Sequence, residues 1–165
     1  MGESVRFESR RVGPIEVPEA DVVRFDPLPG FPNKTRYVVM EHAEGSDMAW
    51  LASLEDPDLA FVVATPWDFF PNYDPPVGRE HLAALGIERR EDVELVCIVT
   101  LAGKNIYLNL AAPLLINVVT RRGMQVVSDD PRYTTRAAIP ALEPARAEAG
   151  ESQAPLATKG APAAP

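Results

Sequence analysis

The chain has 165 residues, 46% of them hydrophobic, which suits one domain with a real core. Its 24 acidic side chains outnumber 16 basic ones for a formal charge of -8, a balance that speaks against direct contact with nucleic acid or an anionic membrane, since both reward Lys and Arg. It favours instead a basic protein partner, drawn in by a field that salt screens.

Residues 1–140 read as one domain built mostly of strands. Short apolar or alternating runs are set apart by Pro, Gly, Asn and Asp every ~8–12 residues. In chain order the predicted strands cover residues 5–9, 15–18, 21–25, 36–40, 48–53, 60–65, 93–101, 105–108, 114–119 and 124–128. Residues 101–105, with Gly103, and 120–123, with Gly123, read as tight hairpin connections, each glycine supplying the positive φ of a short loop. One short helix is predicted over residues 79–85, where Leu82 and Leu85 share a face and Gly86 ends it. So little helix excludes a βαβ sheet. The expected fold is mainly β, a small antiparallel β-barrel-like single domain with one short helix. Residues 141–165 hold nine Ala, four Pro and two Gly with no aromatic, too little apolar surface to offset ordering entropy, and are expected to be a disordered Ala/Pro-rich tail.

The chemistry expected of an enzyme is sparse. Cys97 is the single cysteine and lies in the apolar run 93–99, so it forms no internal disulfide and reads as an inert small hydrophobe. There is no apolar N-terminal signal core and no window of roughly 18 to 20 apolar residues, which points to the cytoplasm and away from a membrane. Of two histidines, His42 reads as part of an exposed polar loop and His81 as lying on the exposed side of the helix; neither has a second His or Cys nearby to share a metal. No G-x-S-x-G elbow and no glycine-rich phosphate loop is present. The acidic run Glu55-Asp56-Pro57-Asp58 invites an acid/base or cation reading, but it lacks the Gly and terminal Glu of a calcium loop and matches ordinary turn chemistry. No cofactor and no metal is expected.

Residues 66–76, Pro-Trp-Asp-Phe-Phe-Pro-Asn-Tyr-Asp-Pro-Pro, are different: four aromatics and four prolines fall within eleven residues. Proline stiffness leaves little entropy to lose on binding, and aromatics on a rigid loop make good interface anchors. Asp68, Phe69, Phe70, Tyr73 and Asp74 are therefore the candidate partner contacts. The alternative, that Trp67 and one phenylalanine plug the end of the barrel while the prolines shape the loop, stays open. Asn109 and Asn117, which bracket the apolar stretch 110–116, read first as caps of backbone groups and second as polar partner contacts.

Several segments together resemble one family. They are Phe25-Asp26-Pro27-Leu28-Pro29-Gly30-Phe31-Pro32, then residues 50–61 from Trp50 through Glu55-Asp56-Pro57-Asp58 to Phe61, then Phe69-Phe70-Pro71-Asn72-Tyr73, then Asn109-Leu110-Ala111-Ala112-Pro113-Leu114-Leu115-Ile116-Asn117, and last Gln125-Val126-Val127. In this order and spacing, over about residues 3–139, the chain resembles the flagellar assembly factor FliW family. The resemblance implies a small antiparallel β-barrel-like fold without catalytic activity. It also implies a protein that binds flagellin in the cytoplasm and binds the translational regulator CsrA, relieving repression of flagellin mRNA translation. The Ala/Pro tail has no counterpart in the family pattern. Replacing Phe69, Tyr73 and Asp74 together is expected to abolish partner binding while folding stays cooperative. A monomer is expected, because no apolar heptad or exposed stripe is evident. The competing readings are a carboxylate-dependent barrel enzyme built on Glu55, Asp56 and Asp58, and a small-ligand binding barrel.

Overall fold

The computed structural model describes residues 2–42 and 46–139. The expected disordered tail, residues 141–165, lies outside them, as do residues 43–45 of the loop after the fourth strand. In chain order the described strands are β1 (Ser4–Ser9), β2 (Gly13–Pro18), β3 (Val23–Phe25), β4 (Arg36–Glu41), β5 (Met48–Ser53), β6 (Ala60–Ala64), β7 (Val93–Ala102), β8 (Asn105–Leu108), β9 (Leu114–Asn117), β10 (Arg122–Gln125) and β11 (Ala137–Ala138), with one helix, α1 (Arg79–Ala84), between β6 and β7.

Seven strands close a barrel in the order β7-β6-β5-β4-β3-β10-β9, with β9 returning to β7. Every pairing in that ring is antiparallel except β3 with β10. The long strand β7 makes closure possible by changing partner along its length. Residues 93–96 pair with β9 and residues 99–102 with β8, while its opposite edge pairs with β6. Strand β8 then leaves the ring and takes β11 on its outer edge.

The period of two along each strand sorts side chains between the barrel interior and its outer wall. Val23, Phe25, Tyr37, Leu51, Val63 and Leu114 fill the interior; Phe25 and Tyr37 meet edge to face at 5.7 Å. The outer wall is also apolar, so it needs cover. The β1–β2 hairpin lays Ile15 and Phe7 over Val38, Ala52 and Ala60. Helix α1 and its flanks press Leu85 and Leu82 on Leu115 and Val126. The loop after β6, together with Ile106 and Tyr133, covers Ala64, Cys97 and Val99. Leu85, 1% exposed, alone contributes about 1.5–3 kcal/mol of transfer free energy, enough to hold a six-residue helix that would not form in isolation.

Local chemistry explains where the elements stop. Gly86 follows α1 with φ 69°, its N–H donating to the Ala83 carbonyl at 3.0 Å while the Ile87 N–H donates to the Leu82 carbonyl at 2.9 Å, the paired bonds of a Schellman end. His81 is not on an exposed face: it is half-buried, and its Nδ1 accepts the Gly78 N–H at 2.9 Å, capping the helix start. The connection 101–105 turns on Gly103 at φ 62° as expected. The connection after β9 does not turn on Gly123. Its positive φ falls on Arg121, at 63°, and the turn is held by Asn117, whose Oδ1 accepts the N–H groups of Val119 and Thr120 at 2.9 and 3.1 Å. Gly123 already lies in β10, where a Cβ would sit 2.5 Å from Phe25 Cε1. The glycine is there for close approach, not for the turn, and β10 starts and ends earlier than predicted.

The aromatic loop and the groove beside it

Leaving β6, the chain enters a single 3-10 turn, Pro66–Asp68, that Pro66 pre-sets at its first position. Bonds from Phe69 N–H and Phe70 N–H to the Pro66 carbonyl (3.0 and 2.8 Å) and from Tyr73 N–H to the Phe70 carbonyl (3.0 Å) wind the loop tightly. This winding sorts its aromatics. Phe69 and Tyr73, 8% and 6% exposed, turn into the cluster around Cys97, Phe70 is half-buried, and Trp67 stands 40% exposed. Phe69 and Tyr73 thus cover the outer wall at Cys97 rather than plugging the barrel end, and Trp67, the expected plug, is the side chain presented outward. The triple replacement of Phe69, Tyr73 and Asp74 would therefore strip the core as well as the surface, and it is no clean probe of binding.

The loop is braced from both sides. Trp67 Nε1 donates to the Tyr73 carbonyl at 2.9 Å, and the Tyr73 hydroxyl donates to the Leu110 carbonyl at 2.7 Å. Tyr133 packs its ring edge-on to Tyr73 at 4.9 Å, and its hydroxyl accepts the Asp74 N–H at 2.9 Å. Arg132 lies over the Tyr133 ring and pairs with Asp130 at 2.8 Å and Asp74 at 3.5 Å. Those bonds to Arg132 hold the Asp130 carboxyl below the usual carboxylate range. Burial pushes the Tyr73 hydroxyl well up, with Cys97 adding to it, and pushes the Cys97 thiol up to about 12, against the opposing effect of its bond to Tyr73.

The loop and α1 both pack over the outer wall at β7 without meeting. Between them runs an open groove of ≈ 800 Å³, with Val93, Leu95 and Leu115 on its floor, Trp67 and Pro75 on one wall, and Val77, Leu82 and Ile87 on the other. Its rim carries both signs, Asp74 and Glu88 with Arg89 and Arg90. Across Tyr73 from it, a smaller apolar pocket of ≈ 310 Å³ opens between Phe69, Phe70, Leu110 and Tyr133. The groove's floor and far wall were not singled out from sequence. The available signal was the unbroken apolar run 93–99: a strand apolar on both faces needs cover on both, and here the cover is incomplete.

The remaining candidates are placed as follows. Asp68 and Asp74 are exposed. Asn109 is half-buried, and its Oδ1 accepts the Ala112 N–H at 3.0 Å. Asn117 is 2% exposed, and besides holding its turn it donates from Nδ2 to the Leu85 carbonyl at 2.8 Å, tying α1 to the barrel. An amide so enclosed is withdrawn from any surface partner; burial corrects its candidacy as a polar contact. The acidic run is spent on structure. Glu55 Oε1 accepts the N–H groups of Thr35 and Arg36 at 2.8 and 3.2 Å, Asp56 Oδ1 accepts the Asp58 N–H at 2.9 Å, and Asp58 pairs with Arg10 at 2.9 Å. His42 is half-buried against Trp50 (5.1 Å between rings) rather than exposed, and burial lowers its pKa. At one end of the barrel a pocket of ≈ 360 Å³ opens among Leu51, Val63, Val96 and Glu94. Among the described residues no three His, Cys, Asp or Glu side chains converge as a metal site, and no helix is long and apolar enough to cross a membrane.

The profile of the FliW protein family matches residues 6–139. The flagellar assembly factor FliW of Heliobacterium modesticaldum is 36% identical over 135 residues, covering 80% of this chain and 88% of that protein. That of Caldicellulosiruptor saccharolyticus is 38% identical over 131 residues, covering 78% and 86%. Among solved structures, a crystal structure of the flagellar assembly factor FliW superposes with a TM-score of 0.76 at 32% identity, covering 82% of this chain and 97% of that one.

Proposed function

The chain belongs to the FliW family of flagellar assembly factors, and from that premise we propose that it works as a non-catalytic binding protein in the cytoplasm, holding flagellin and, in turn, the translational regulator CsrA. Binding CsrA relieves repression of flagellin mRNA translation. The observation that carries this reading is the groove: an apolar strip of ≈ 800 Å³ beside a stiffened loop, with a tryptophan held 40% exposed at its edge. An amphipathic helix laid apolar face down would cover the floor at Val93 and Leu95, with Trp67 as its anchor. The net charge of -8 supports a basic RNA-binding partner, whose approach it would speed, and opposes direct contact with the mRNA. Asp68, Phe70 and Asp74 flank Trp67 and complete the proposed contact surface, with Phe69 and Tyr73 supporting it from within.

The test is Trp67→Ala, compared with wild type for capture of purified flagellin and of purified CsrA. A buried interface tryptophan is worth about 2 kcal/mol or more, so at least one affinity should fall about thirtyfold. Trp67 packs on Tyr73 at 5.9 Å, so melting is checked in parallel. Wild-type affinity for both partners in a folded Trp67→Ala protein would remove the groove from the account.

A further inference from the structure

On this acidic protein three arginines fall side by side on neighbouring strands, none of them lining the groove. Register sets Arg36 of β4 opposite Arg24 of β3, and Arg24 opposite Arg122 of β10. The next residue along each of β3 and β4, Phe25 and Tyr37, points into the barrel. The three arginines therefore stand in a row on the outer wall, strand beside strand at about 4.8 Å. The Arg24 N–H goes to the Arg121 carbonyl and the Arg36 carbonyl takes the Leu54 N–H, both at 2.9 Å. With those groups facing apart, Arg24 and Arg36 form the close, non-hydrogen-bonded kind of antiparallel pair.

Like charges directly opposite one another weaken a sheet, so a row of three guanidiniums has a cost that packing does not explain. Among the described residues one carboxylate bonds to the row: Glu19, 2.7 Å from Arg24 and 3.1 Å from Arg36. It serves the β4 side. On the other side Arg122 is exposed and has no ion pair among the described residues.

We infer that the Arg36–Arg24–Arg122 row is a carboxylate-recognition site, in which a Glu or Asp of an acidic polypeptide segment seats between Arg24 and Arg122 as Glu19 seats between Arg24 and Arg36. Guanidinium forks favour such paired acceptors. The row's own occupant is a carboxylate, Glu19, so the partner is read as an acidic protein segment, held by local pairing against the repulsion of a chain of net charge -8. This site is independent of the groove and of what binds there.

The test uses the full chain, arginine side-chain Nε–Hε NMR, and an end-blocked tetraglutamate peptide as probe at about 50 mM salt, where screening is modest. The Arg24 and Arg122 signals should shift saturably. Arg122→Gln should weaken the peptide about tenfold, the worth of one charge-assisted pair, while Arg6→Gln on the β1–β2 hairpin changes nothing. Arg122→Gln should also melt no lower than wild type, because it relieves repulsion. The inference fails if the shifts persist unchanged in Arg122→Gln, if no arginine signal moves, or if that variant melts well below wild type. It fails equally if inorganic phosphate or a short RNA binds the row more tightly than the peptide.

Discussion

Tyr73→Phe removes one oxygen from the centre of the loop and nothing else. The hydroxyl donates at 2.7 Å to the Leu110 carbonyl, and the two residues are 6% and 4% exposed. No other hydrogen bond to that carbonyl is present among the described residues. The ring keeps its contacts with Trp67 at 5.9 Å and Tyr133 at 4.9 Å, so the transfer free energy of the side chain is nearly unchanged. What remains is a buried carbonyl without a donor, which costs about 1–3 kcal/mol, and a Cys97 thiol without its bond to the hydroxyl, a weak pair that adds little. For a domain of this size each kcal/mol lowers Tm by about 3–4 °C, giving an expected fall of about 3–12 °C. Urea unfolding followed by tryptophan fluorescence should show a lower midpoint at unchanged m. Flagellin capture by the folded variant should match wild type, since the hydroxyl points into the protein. A midpoint within error of wild type would refute the view that this bond clamps the loop. Lost capture at unchanged stability would put Tyr73 itself in the interface.

Gly123→Ala forces a methyl to within 2.5 Å of Phe25 Cε1 inside the barrel and should cost about 1–3 kcal/mol by chemical denaturation. Adding Phe25→Leu should recover part of that loss, a coupling that a double-mutant cycle reads directly. Alkaline pH tests the buried hydroxyls and thiol. Burial pushes Tyr37 and Cys97 each up to about 12 and raises Tyr73 as well. These groups stay protonated in the fold at a pH where the unfolded chain has lost its protons. Their contribution is whole below about pH 9 and is lost as pH climbs towards 12, at about 1.4 kcal/mol per pH unit for each group. Denaturation midpoints should fall steeply over that window, with the Cys97 thiol reacting only as the protein unfolds; a flat profile to pH 11 would contradict the burial.

The strands were legible in the sequence because barrel walls impose a period of two that composition cannot hide, and β5 and β8 run over the residues expected of them. Helix α1 was legible from Leu82, Leu85 and Gly86. The strand β11 was not, since two alanines carry no pattern and pair only because β8 offers an edge. Gly123 misled for a related reason: a glycine near a turn reads as the turn, whereas here its worth comes from Phe25, a residue distant in sequence. The aromatic loop was visible as a candidate, but its sorting was not. Whether Trp67 or Tyr73 turns inward depends on the Leu110 carbonyl and the Tyr133 ring, which only the fold brings near. Nor could one sequence show the arginine row, because it exists only once register aligns three strands.

Strands β3 and β10 meet through two register pairs, and the same seam is spanned by Arg121 donating to the Asp21 carbonyl, 100 residues away in the chain. The ring of strands thus has a clasp, and its second half is among the last parts of the domain to be synthesised. A nascent polypeptide that has not yet released β10 from the ribosome holds a hairpin and a run of antiparallel strands with Phe25 uncovered. Closing so distant a contact carries a loop-closure entropy cost that cannot be met before β10 is available to pair. The closed ring of strands is therefore completed late, after nearly the whole domain has been translated.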